Sequence, residues 1–107
     1  MRVILDACVP ERFAAFVPEH SVTTARAFFG TTDLDDGPVL DRIAGHFDAF
    51  VTVDKNLRYQ QNLRDRPFRI VLLRAHSNAI ENLVPLVAPL LLALAEMQPG
   101  DLRVVGV

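Results

Sequence analysis

The chain has 107 residues, half of them hydrophobic and 22% charged, with thirteen acidic against eleven basic side chains and a net charge of -2. That length suits one domain over 1–107, the apolar content excludes disorder, and the charge excludes the broad basic field of an unspecific DNA binder while permitting a local basic patch. The single Cys8 excludes an internal disulfide and reads as a small buried hydrophobe in a reducing cytoplasm.

Val3-Ile4-Leu5 forms a short apolar run, expected as a strand buried on both faces, and it runs straight into Asp6. Too few apolar residues precede that acid for a signal peptide. Pro10 suits the first turn of a helix whose apolar side is Phe13, Ala14, Phe16 and Val17, ended by Pro18. The β-branched stretch 20–25 suggests a second strand, followed by a segment through Phe28 and Phe29 to Gly30. Val39, Leu40, Ile43, Ala44 and Phe47 then recur at helical spacing behind an acidic start, a charge that the helix macrodipole favours.

Residues 48–54, "DAFVTVD", predict a third buried strand ending in Asp54. The polar stretch 55–67 is long enough for a functional loop or a short helix. "FRIVLLRA" predicts a fourth strand, and 77–100 a long helix capped by Ser77 or Asn78, segmented by Pro85 and Pro89 and stopped by Pro-Gly. Its apolar stretch 83–95 is shorter than the roughly 20 residues of a membrane span, so no membrane is expected as a partner. "DLRVVGV" supplies a fifth strand. The alternation predicts an α/β fold with a mostly parallel sheet of about five strands and helices on both faces.

Ligands of such sheets bind beyond the carboxyl ends of the strands. If the first and third strands are neighbours, Asp6 and Asp54 emerge at that edge, joined by the acids Asp33, Asp35 and Asp36 before the next helix. Carboxylates gathered there repel one another unless a cation neutralises them or one takes up a proton, and hard oxygen ligands suit Mg²⁺ or Mn²⁺. Single aspartates at strand ends and helix caps also occur for local hydrogen bonding alone. His20, His46 and His76 are scattered and show no zinc spacing.

"ILDACVP", "DDGPVLDRIA" and "FVTVDKNLRYQQNL" together resemble the small PIN-like proteins, a toxin-like branch of the PIN nuclease superfamily, over nearly the whole chain. The resemblance implies a three-layer α/β/α PIN-like domain. It also implies a Mg²⁺- or Mn²⁺-dependent endoribonuclease, the toxin component of a toxin-antitoxin pair, with an RNA substrate and a cognate antitoxin as partners. By that resemblance Asp6, Asp36 and Asp54 are the metal-binding catalytic acids. Ala7 stands where many relatives carry Glu, and Asn56 where many carry a second Asp.

Around these acids, Asn56, Arg58, Tyr59, Gln61 and Arg74 form a substrate-binding set, able to contact phosphates and stack a base. His76, Ser77 and Asn78 follow at the same expected edge. The alternative is a catalytically weakened PIN-like module that binds RNA or protein. A receiver-like phosphorylation domain fits less well, because "DAC" lacks adjacent acids and "VVGV" lacks a lysine. Phe28, Phe29 and the Leu-rich 83–95 stretch suit either a homodimer or antitoxin surface or the core.

Overall fold

A computed structural model describes residues 1–30, 36–56 and 66–106, apart from the side chains of 36–38. Five strands, β1 (Arg2–Leu5), β2 (Ser21–Thr24), β3 (Ala49–Thr52), β4 (Arg69–Arg74) and β5 (Leu102–Gly106), form one sheet in the order β2-β1-β3-β4-β5. Every pairing is parallel. The α/β class and the expected strands are therefore present.

Alternation along the strands explains why both faces must be covered. Val3, Leu5, Ala49, Val51, Val71 and Leu73 enter one apolar cluster with Phe13, Leu83, Leu90 and Leu94. Ile4, Phe50 and Ile70 enter a second with Val39, Leu40, Ile43, Phe47 and Phe68. Helices α3 (Ile80–Leu83) and α4 (Val87–Glu96) supply the first cover, and α2 (Asp36–Ile43) the second. A three-layer α/β/α arrangement follows directly.

Local chemistry sets the element ends. Thr24 caps the short helix α1 (Ala25–Phe29) by accepting the Ala27 N–H, and Gly30 ends it in the left-handed region at φ 79°. At the far edge of the sheet Gly106 has φ 112°, and a Cβ there would stand 2.1 Å from the Arg74 carbonyl oxygen. Only glycine lets β5 approach β4 so closely.

Several details differ from the sequence expectations. Pro10 precedes the first helical element, a 3-10 helix over Glu11–Phe16, and Phe16 is exposed while Phe13 and Val17 are buried. Ser77 and Asn78 do not cap the later helix: Ala79 does, without a side-chain bond. Ser77 instead accepts the Ala79 N–H, closing a local turn. The long helix breaks at a 3-10 turn over Val84–Leu86, because Pro89 has no N–H for the Pro85 carbonyl. Pro89 is tolerated in the first turn of α4, where N–H groups lack helical partners anyway.

Phe28 and Phe29 are partly buried against the second cluster, with the Phe28 ring edge-on to Phe47 at 4.9 Å and Arg42 4.7 Å from the Phe29 centroid. Core packing thus accounts for both rings. Among the described residues, no helix is long and apolar enough to cross a membrane.

Phe50 lies on the central strand, is fully buried and joins the sheet to α2. Phe50→Ala should lower stability by about 3–5 kcal/mol, read as a shift in the urea midpoint. An unchanged midpoint would contradict this packing.

Candidate functional site

The strand order reverses between β1 and β3. Chain connections diverge there, leaving a crevice beyond the carboxyl ends of the two strands. Leu5 pairs with Val51, and the Asp6 N–H donates to the Val51 carbonyl at 2.9 Å, so the ladder continues one residue past β1. Asp6 consequently falls opposite Thr52, the last residue of β3.

Thr52 is fully buried and is the one buried polar residue among the described residues. Its hydroxyl donates to Asp6 Oδ2 at 2.7 Å and accepts the Asp54 N–H at 3.1 Å. One side chain therefore orients the acid after β1 and the turn that carries the acid after β3. Asp54 stands two residues beyond the end of β3, a correction to the expectation that the strand runs up to it. Val53 makes the step between them.

The remaining lone pairs can be counted. An ionised carboxylate offers about four acceptor sites. Asp6 Oδ1 accepts the Ala7 N–H at 2.8 Å, and Oδ2 also accepts the Cys8 thiol at 3.4 Å. Asp54 Oδ1 accepts the Asn56 N–H at 3.0 Å. Neither acid belongs to any of the four ion pairs among the described residues. Asp54 therefore retains most of its acceptor capacity, and Asp6 a smaller part.

Cys8 belongs to this site, contrary to the purely apolar role expected from sequence. Burial pushes its thiol above the ordinary value; the Thr52 contact opposes that rise and the Asp6 charge reinforces it. The thiol stays protonated at neutral pH and donates to Asp6. Sequence signals for these partners were modest: a threonine within the apolar run "AFVTV", and a cysteine two positions after an acid.

Among the described residues, no three His, Cys, Asp or Glu side chains gather as a metal-binding group. Asp36 opens α2, but its side chain lies outside the described residues, as do Arg58, Tyr59 and Gln61. Asn56 is exposed just past Asp54, and half-buried Arg74 closes β4 at the same sheet edge. The structure thus brings Asp6 and Asp54 together through Thr52, with Asn56 and Arg74 on the same side.

A small cavity of about 100 Å³ lies beside them, lined by Val53, Lys55, Leu73, Ala75, His76, Ser77 and Asn78. Asn78 Nδ2 donates to the Cys8 carbonyl at 3.2 Å, tying the cavity to the turn that carries Asp6. Comparison with family models, curated proteins and solved structures returns no match.

Two outcomes test the site's construction. Thr52→Val should cost about 1–3 kcal/mol, because it removes the partner of the half-buried Asp6 oxygen and of the Asp54 N–H, whereas Thr52→Ser should recover much of the loss. Equal denaturation midpoints for parent and Thr52→Val would contradict the hydroxyl's role. The raised Cys8 pKa means that its contribution to stability is fully present below the unfolded thiol pKa and disappears as pH rises through the higher folded value. Alkylation of the native protein should accordingly show its rate inflection at higher pH than the urea-unfolded chain; an inflection at or below that of the unfolded chain would contradict the thiol's burial.

Proposed function

We propose that this protein is a metal-dependent ribonuclease of the PIN-like kind, acting as the toxin of a toxin-antitoxin pair, with its centre at the β1/β3 switch point. The reading rests on one observation: two aspartates from distant parts of the sequence share the Thr52 hydroxyl in that crevice, and neither is neutralised by an ion pair among the described residues.

The donor set suits a hard cation. Mg²⁺ is commonly held by one or two carboxylates, with water and substrate phosphates completing its shell, so a dedicated cage of many side chains is unnecessary. Asp6 and Asp54 would hold Mg²⁺ or Mn²⁺, with Asp36 as the third acid that the family resemblance implies. When bound, such an ion supplies activation of water and shielding of phosphodiester charge.

The chain's own residues would divide the remaining work. Asp6, held by Ala7, Thr52 and Cys8, presents an oriented oxygen. Asp54, held among the described residues at Oδ1, has Oδ2 to accept a proton from an ordered water. Arg74 offers a cation and Asn56 an amide for RNA, alongside Arg58, Tyr59 and Gln61. A cytoplasmic location and a cognate antitoxin belong to the same proposal.

A second reading also has a specific observation behind it. Asp6 already accepts three hydrogen bonds, as an acid that merely closes a turn would. A catalytically weakened module that grips RNA or protein would retain all three.

Substitution separates the two readings. Asn preserves an acceptor for the Thr52 hydroxyl while removing the charge, so Asp6→Asn and Asp54→Asn should stay folded by circular dichroism. Both should lose Mn²⁺-dependent cleavage of single-stranded RNA and any growth inhibition on expression. Cleavage by either variant at the parental rate would end the nuclease proposal, while a parent that binds RNA without cutting it would favour the module.

A further inference from the structure

We infer that the cavity between the ends of β3 and β4 is a phosphate subsite, built to hold a backbone phosphate of a polynucleotide next to the aspartate centre. This inference rests on the proposed function for the class of ligand, but its argument comes from a different set of atoms.

The cavity is linked to both acids through neighbouring residues. Val53 and Lys55 flank Asp54 in the chain, while Asn78 ties the opposite wall to the Cys8 carbonyl after Asp6. Its volume of about 100 Å³ has room for several waters, or for a compact oxyanion such as a phosphate group. Lining chemistry then decides what kind of small group is favoured.

Ser77 is the informative residue. Its Oγ accepts both the Ala79 N–H at 3.1 Å and the Asn82 Nδ2 donor at 2.7 Å. Those two bonds occupy the hydroxyl's acceptor sites, leaving its proton as the remaining hydrogen-bonding function. The side chain is thereby set as a donor. Lys55, an exposed residue of the same lining, takes part in none of the ion pairs among the described residues, and an ammonium has only donors to offer. His76 adds a ring nitrogen with no hydrogen bond among the described residues.

A cavity lined by a cation and a hydroxyl committed to donating favours an anion rich in acceptor oxygens. A bound cation would meet the Lys55 charge, and an apolar group would make no use of the Ser77 donor. Placed beside Asp54, the subsite would hold one phosphate while the neighbouring linkage lies over the acids. It would thus set the register of the strand in the crevice, a positioning role for Lys55 and Ser77.

Two titrations test this with the intact protein. Inorganic phosphate added to ¹⁵N-labelled protein should shift the amide signals of residues 53–55 and 75–78, and Lys55→Ala should remove those shifts while Lys55→Arg retains them. With a short single-stranded RNA and no divalent ion, Lys55→Ala should weaken binding severalfold and reduce the slope of log affinity against log salt by about 0.7, the loss of one phosphate contact. Phosphate shifts that miss the cavity, RNA affinity and salt slope unchanged in Lys55→Ala, or a parent that binds no RNA would each overturn the subsite. Failure of the nuclease reading looks different: the phosphate and RNA results hold while the parent cuts nothing or Asp6→Asn still cuts.

Discussion

The hydrogen bond from the buried Thr52 hydroxyl to the Asp6 carboxylate is the contact on which the site's geometry depends. It joins the first strand to the third at the point where the sheet reverses its order. Because the same hydroxyl accepts the Asp54 N–H, two acids separated by 48 positions in sequence share one anchor. A buried hydroxyl is costly unless paired, so the arrangement has a preferred geometry. The packed strands on either side limit its alternatives.

The two ends of the sheet use their acids differently. At the amino end, Asp48 accepts the Arg2 N–H at 2.7 Å and lies 3.9 Å from the Arg2 guanidinium, while its carbonyl accepts from Arg69. That acid is committed to holding strands together. At the carboxyl end, Asp6 is oriented without an ion pair among the described residues, and Asp54 is tied by one side-chain oxygen. Stabilising contacts and open acceptor capacity therefore sit at opposite edges. This is the division expected of a parallel sheet that binds at its carboxyl end.

Much of the fold was legible because its strands carry a strong physical signal. Val3-Ile4-Leu5 and Ile70-Val71-Leu72-Leu73 are apolar on consecutive positions, as strands covered on both faces require, and the spacing of Val39, Leu40, Ile43 and Phe47 marked the face of α2. The strand order was less legible, since pairing depends on tertiary packing. Ser77 misled as a helix cap because the same hydroxyl chemistry closes a turn two residues earlier. Thr52 carries no distinct signal in sequence, because a threonine in a strand usually reflects β-propensity; only its placement opposite Asp6 makes it an organiser. Cys8 looked like packing until the fold set its sulfur against a carboxylate.

The proposed function requires the oxygens after β1 and β3 to form a binding place for a hard divalent cation. Calorimetric titration of Mn²⁺ into the parent and into Asp6→Asn tests that claim without requiring a substrate. Saturable binding by the parent, lost in the variant at unchanged thermal stability, is the expected result. A parent that takes up no Mn²⁺, or a variant that binds it equally well, would contradict the account.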